Sequence, residues 1–361
     1  MTRTRLLALG VLAAAAAPLE AQDPSSTAIL ADPQFVSYRL NNGTTTRTIS
    51  QFGLPFAVIV PFSDRFTVDI SSSYANSQAA TTGLPTSSIT GITDTQVRGN
   101  LMLGDNAAVI TIGVNLPSGQ YKVPGGQQDA AGTIGNNFLI FPVTSMGNGL
   151  AATGGVGFVK ALGDWNLGVG ASFRYSTAFD PYRLQNSVLR YTPGNEARLR
   201  VGVDRPVGDG SFSMSLTYLK FGKDQADSTS FATGDRVLAQ SAFSFAMGGG
   251  SELLLSAWDL YRGSGQQLGA AAPWENVANA GVALGFQRFG VYVQPSVEER
   301  IWNVAGNKAG VLTNAGIRLR IDWAGLSVNP SATYSFGSLY TAGEPATDVT
   351  GFKASLLIRL H

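Results

Sequence analysis

Cysteine is absent from all 361 residues, and the one histidine is His361, the last residue. The first absence removes disulfides and thiolate chemistry. The second removes the usual general base beside a Ser or Asp, since a histidine on a chain end holds no stable triad. No grouping of His, Cys and carboxylates has metal-ligand spacing. Charged residues reach only 14%, against roughly 25% in soluble domains. A formal net charge of +1 gives no hold on nucleic acid. Beyond the N-terminal segment, no stretch approaches the ~20 consecutive apolar residues of a transmembrane helix. Gly154–Gly155–Val156–Gly157 and Gly248–Gly249–Gly250 lack the strand–loop–helix setting and the Lys-Ser/Thr of a phosphate loop. Cofactors are therefore not expected, and a carboxylate-only hydrolase is the one enzymatic reading left open.

What the chain does have is alternation. In 211–218, Phe212, Met214, Leu216 and Tyr218 share one face of a strand, and Ser211, Ser213, Ser215 and Thr217 share the other. The same period runs through 66–74, 165–176, 197–204 and 316–323, where apolar rows end in Tyr74, Tyr175, Trp165 and Trp323. An apolar row must meet a core or lipid, and a polar row must meet water. Aromatics at the row ends fit the interfacial girdles of a membrane barrel.

The connections favour the barrel. Tight turns are expected at Ser63–Asp64, Gly104–Asp105–Asn106, Gly163–Asp164, Gly208–Asp209–Gly210, Gly248–Gly249–Gly250, Arg288–Phe289–Gly290 and Ala324–Gly325. Longer polar links are expected near 75–92, 118–148, 178–194, 223–230, 263–276, 303–309 and 340–349. Short turns alternating with long loops are the asymmetry of outer-membrane barrels. Seven turns join seven strand pairs. A first strand near 33–48 and a last at 350–361 bring the number to sixteen, or fourteen if 33–50 is a small hairpin or arm about Asn41–Asn42–Gly43. The expected fold is all-β, a single transmembrane antiparallel β-barrel of about 14–16 strands, with no separate domain.

The N-terminus supplies an address. Arg3 and Arg5 precede an apolar, Ala-rich run from Leu6 to Pro18, and the small Ala21 precedes Gln22. This is the layout of a secretory signal peptide cleaved after Ala21. Residues 22–361 are then expected to form the barrel, with outer-membrane lipid, the barrel-assembly machinery and a small-molecule solute as its expected partners.

On the barrel reading the polar rows line the lumen. The candidate pore-lining residues are Asp69, Asp94, Arg98, Arg174, Arg198, Arg200, Asp204, Glu298, Arg318, Arg320, Asp322 and Arg359, with Lys353 beside them. A cation facing lipid at the midplane costs about 2–4 kcal/mol, so charges that share a face with Ser and Gly point to water. They either select solutes, with a mild anion preference, or form a ladder of ion pairs that stabilises the wall. Links 118–148 and 178–194 are candidates for a constriction or plug. The apolar Phe138–Leu139–Ile140–Phe141–Pro142 reads as an inward fold that narrows the channel or as a site for greasy solutes; by slight preference, 138–144 is instead a strand extension above the membrane.

Two segments carry a resemblance. Gly91–Ile92–Thr93–Asp94–Thr95–Gln96–Val97–Arg98, followed after a hairpin by Gly113–Val114–Asn115–Leu116–Pro117–Ser118–Gly119, resembles a pattern in outer-membrane channels of the meta-pathway of phenol degradation. Ile49–Ser50–Gln51–Phe52–Gly53–Leu54–Pro55, running into Val58–Ile59–Val60, is similar to the same family and the related fatty-acid and aromatic-hydrocarbon channels. The resemblance implies an outer-membrane barrel passing small, often hydrophobic molecules. Such barrels usually end in Phe; this chain ends in Leu360–His361. The expected function is a passive channel with a charged lumen. The alternatives are a non-conducting barrel serving adhesion or envelope integrity and, third, a soluble secreted β protein.

Overall fold

The computed structural model describes residues 27–360 except 105–106, 185–186, 268–269 and 342. The proposed signal peptide and its cleavage point lie outside the described residues.

Alternating residues with tight Gly/Asp turns form long antiparallel strands, and the sheet closes on itself. The first strand, β1, comprises Ala28–Ala31 and Gln34–Asn41, interrupted at Asp32–Pro33. It is followed by β2 (Thr46–Ser63), β3 (Phe66–Thr81), and β4 as Ser87–Ile92 and Thr95–Leu103. Next come β5 (Ala108–Leu116), β6 (Ala151–Leu162), β7 (Trp165–Ser176), β8 (Glu196–Val207), β9 (Gly210–Phe221) and β10 (Arg236–Gly248). The last six are β11 (Ser251–Arg262), β12 (Glu275–Arg288), β13 (Val291–Val304), β14 (Asn307–Trp323), β15 (Leu326–Leu339) and β16 (Thr347–Leu360). Both pieces of β1 pair with β16, Val36 opposite Lys353 and Ile29 opposite Leu360, so the sixteen-stranded ring has no free edge. Closure satisfies the backbone where no water is available.

The two faces separate as the alternation requires. Phe52, Phe173, Val201, Leu216, Ile317 and Phe352 project outward and are exposed. Phe62, Trp165, Phe289 and Trp323 ring the tight-turn end, and Tyr175, Tyr218, Tyr261 and Tyr340 the loop end. An exterior of this kind, apolar with aromatic ends, suits a bilayer.

Three connections differ from the sequence reading. The link expected at 75–92 shrinks to 82–86, because β3 and β4 continue through it in register, Ala75 opposite Gly91. The link expected at 303–309 is a two-residue turn, Ala305–Gly306, with both residues at positive φ (50° and 83°). That is the turn type whose twist matches a hairpin, and Ala-Gly does not announce it. At the start, Asn42 does make a turn: its Oδ1 accepts from the Thr45 amide at 2.8 Å. The strands on either side of it, β1 and β2, are both barrel staves and not an arm.

Candidate functional site: the barrel lumen

The connection 117–150, between β5 and β6, folds into the barrel. The slightly preferred reading of 138–144 as a strand extension above the membrane is therefore corrected. The physical reason is apolar surface. Ala130 and Ile134 of a short helix α1 (Gln128–Ile134), together with Phe138, Leu139, Phe141, Val143 and Met146, are all buried. Against them pack inward side chains of β1 (Val36, Tyr38), β2 (Ile49), β3 (Ala75, Ala79), β4 (Ile89), β12 (Val277), β14 (Leu312) and β16 (Val349). Left above the barrel, this segment would expose its apolar side chains to water.

Polar ties fix the loop. Tyr38 Oη donates to Leu139 O at 2.8 Å. Gln51 both donates to Val143 O and accepts from Val143 N, each at 2.8 Å. Arg300 Nη1 donates to Phe138 O at 2.5 Å, and Asn137 Nδ2 donates to Glu275 Oε1 at 2.8 Å. The Arg47–Asp129 pair at 2.6 Å holds the helix to β2. At the neck stands Asp94, in the interruption of β4. It accepts from Asn148 N at 2.6 Å, Asn115 Nδ2 at 2.9 Å and Gly119 N at 3.1 Å, so one carboxylate grips both ends of the loop.

The opposite arc is different. Among the described residues, no side chain of β5–β10 joins the buried cluster. The inward face of that arc is small and cationic: Gly155, Gly157, Gly168, Gly170 and Gly202 stand in register with Ser172, Ser215, Arg198 and Arg200. The link 177–195, the second plug candidate, contributes nothing described to the cluster either. Its strands Phe179–Leu184 and Ser187–Thr192 join Val123–Pro124, Asp224–Ala226 and Thr229–Phe231 in a five-stranded sheet of extracellular loops.

The candidate residues divide between these regions. Arg98 pairs with Asp69 at 3.0 Å and keeps 52% of its side chain exposed. Arg198 pairs with Glu196 at 2.7 Å, Arg200 donates to Ser215 Oγ at 3.1 Å, and Asp204 accepts from Asn166 at 2.8 Å. Arg174 lies on the same inward row of β7, opposite Glu196. Asp94 is buried and committed to the loop neck, not to open wall. On the loop-bearing arc, Glu298 and Arg318 lie near Asp32 and Lys353. Arg320 donates to Asp322 at 2.7 Å, and Arg359 stands opposite Leu30 at the turn end.

Residues absent from that set are Arg236, Arg262, Glu275 and Arg300. Arg262 pairs with Glu275 at 3.0 Å and faces Arg236 across the β10–β11 ladder. Two-residue counting from Glu298 puts Arg300 on the inward row, so the signal was present in the alternation.

Set beside solved structures, the chain is similar to a bacterial polysaccharide outer membrane secretin, with TM-score 0.50, 8% identity, and 92% of this chain and 98% of that one covered. It also aligns with the CymD monoaromatic hydrocarbon channel (TM-score 0.45, 8% identity, 94% and 91% covered). A third is an anion-selective porin from Comamonas acidovorans (0.43, 11%, 93% and 99%). The sequence matches no family model and no curated protein. At such identities the likeness is one of fold. With its closed ring of sixteen strands, apolar exterior and sorted connections, this chain has the fold of a bacterial outer-membrane β-barrel.

Proposed function

We propose that the barrel is a passive channel for small solutes, and that they cross along the β5–β10 arc. The observation that carries this reading is the asymmetry of the lumen. An apolar loop fills one side, while the other presents glycines, hydroxyls and the guanidinium groups of Arg174, Arg198 and Arg200, with Arg98 at its edge on β4. A ring of sixteen strands encloses an aqueous lumen unless loops close it, and here one loop narrows it from one side. Cations along the remaining wall lower the barrier to anions and raise it to cations.

The resemblance of 91–98 and 113–119 to meta-pathway channels adds a finer reading, in which the solutes are small and have an apolar or aromatic part. The apolar side chains that 138–143 brings into the lumen support it. The non-conducting alternative differs in a single measurable property. Purified barrel in a planar bilayer under a salt gradient is expected to give stable openings with a reversal potential on the anion side. Arg198→Gln with Arg200→Gln should move that potential toward zero. Silence from folded, heat-modifiable protein would assign the barrel a structural role.

A further inference from the structure

A buried cationic site of the lumen lies under the loop. Across three neighbouring strands, Trp258 of β11, Asn279 of β12 and Arg300 of β13 are register partners on the inward face. Trp302 is the next inward residue of β13, opposite Val277. The Arg300 guanidinium carbon lies 5.6 Å from the centre of the Trp258 ring, so the side chain reaches across Asn279 to stack on indole. Asn279 is 5% exposed and Arg300 7%.

Three donors on these neighbouring inward residues have no acceptor among the described residues: Asn279 Nδ2, Arg300 Nε and Trp302 Nε1. A buried donor left unpaired costs about 1–3 kcal/mol, and folded proteins tolerate few. One belongs to the guanidinium itself and two to the residues beside it, which suits the group to an acceptor. The nearby charges do not supply one. Among the described residues, the carboxylates acting on Arg300, Arg318 and Lys353 are Glu298 and Asp32, three cations to two anions. Arg300 meets two oxygens of the chain itself, the Phe138 carbonyl and the Tyr38 hydroxyl, while the Phe138 ring stacks on Trp302 with centroids 5.6 Å apart.

Phe138 thus offers an oxygen to the guanidinium and a flat ring to the indole. A small molecule with both features is an aryl carboxylate. We infer that Trp258, Asn279, Arg300 and Trp302 form a binding site for a small aromatic carboxylate, occupied in the resting barrel by Phe138. The carboxylate would supply the oxygens that a single carbonyl cannot, and its ring would take the place of the Phe138 ring on Trp302. The site deepens the channel reading, but an equilibrium binding test does not need the pore to conduct.

The experiment titrates full-length protein in detergent with benzoate, with acetate and benzyl alcohol as the anionic and aromatic controls, and follows indole fluorescence. Benzoate should give a saturable change, with both controls at least about ten-fold weaker, a gap worth about 1.4 kcal/mol. Trp302→Phe should remove most of the signal. Arg300→Gln should weaken benzoate about ten-fold while sparing benzyl alcohol. Phe138→Ala, which removes the competing ring and leaves the carbonyl, should tighten benzoate and keep its advantage over benzyl alcohol. Equal binding of benzoate and benzyl alcohol would overturn the site, as would unchanged affinity in Arg300→Gln. So would weaker benzoate binding in Phe138→Ala, since there the ring would be support and not a competitor. If Arg300→Gln loses heat-modifiable migration, Asn279→Ala carries the same test, with an expected loss of about three-fold on the same scale.

Discussion

The Tyr38 hydroxyl donates to the Leu139 carbonyl at 2.8 Å, joining the first barrel strand to a loop 101 residues further along the chain. Removing that hydroxyl leaves a buried carbonyl unpaired, at a cost of about 1–3 kcal/mol to the docked loop. Tyr38→Phe is therefore expected to raise amide exchange across 137–143 and to make single-channel current noisier. The ring of strands should stay heat-modifiable. Unchanged exchange would show that packing alone seats the loop.

The same ring rests on Gly351. A Cβ at that position would press into the Tyr38 ring, which also sits edge-on to Phe141 at 5.8 Å. Gly351→Ala should loosen the loop in the manner of Tyr38→Phe, and in a Tyr38→Ala background, where the ring it presses on is gone, it should add little. The non-additivity is read as exchange in a double-mutant cycle.

Asp94 faces three donors: two backbone amides and the Asn115 side chain. Asp94→Asn keeps the shape but turns one acceptor into a donor, so it should weaken the loop nearly as much as Asp94→Ala. Limited proteolysis between 117 and 150 measures this; full protection in the Asn variant would mean that shape, not charge, holds the neck.

Selectivity should depend on which arc is altered. Reversing Arg198 and Arg200, which face the uncovered lumen, is expected to shift the reversal potential strongly toward cations. Reversing Arg318 and Arg320 on the loop-bearing arc should shift it less. Equal shifts would mean that solutes pass on both sides of the loop.

Neighbouring positions test the facing of the wall. Val201 projects outward, and Val201→Arg should cost about 2–4 kcal/mol if it sits near the midplane. Ser213 is the register partner of Asp204 on the inward row, so Ser213→Lys gains a carboxylate partner and should be close to neutral. Urea unfolding from vesicles would compare the two.

The ring was legible from the sequence because its signal is local. Alternation of period two, as in Phe212–Met214–Leu216–Tyr218, assigns faces, and Gly163–Asp164 or Gly208–Asp209 assigns turns, each within a few residues. The lumen was legible only in part. Phe138 is buried by Trp302, Gly310 and Leu339, all more than 150 residues away in the chain, and no local pattern carries that. Asp94 looked like open wall because its carboxylate shares a sign and a neighbourhood with Asp69. What separates them is the interruption of β4 after Ile92, which turns Asp94 toward the loop.

The inward loop also bears on how the ring stays shut. Phe138 is tied to β13, Leu139 to β1 and Val143 to β2, so six consecutive residues straddle the joint where the last strand meets the first. The segment is a clasp worn on the inside. It cannot fasten until the strands from both ends of the chain are in place, and once fastened it opposes any parting of that joint. A barrel built this way sets its bore and locks its seam in a single final step.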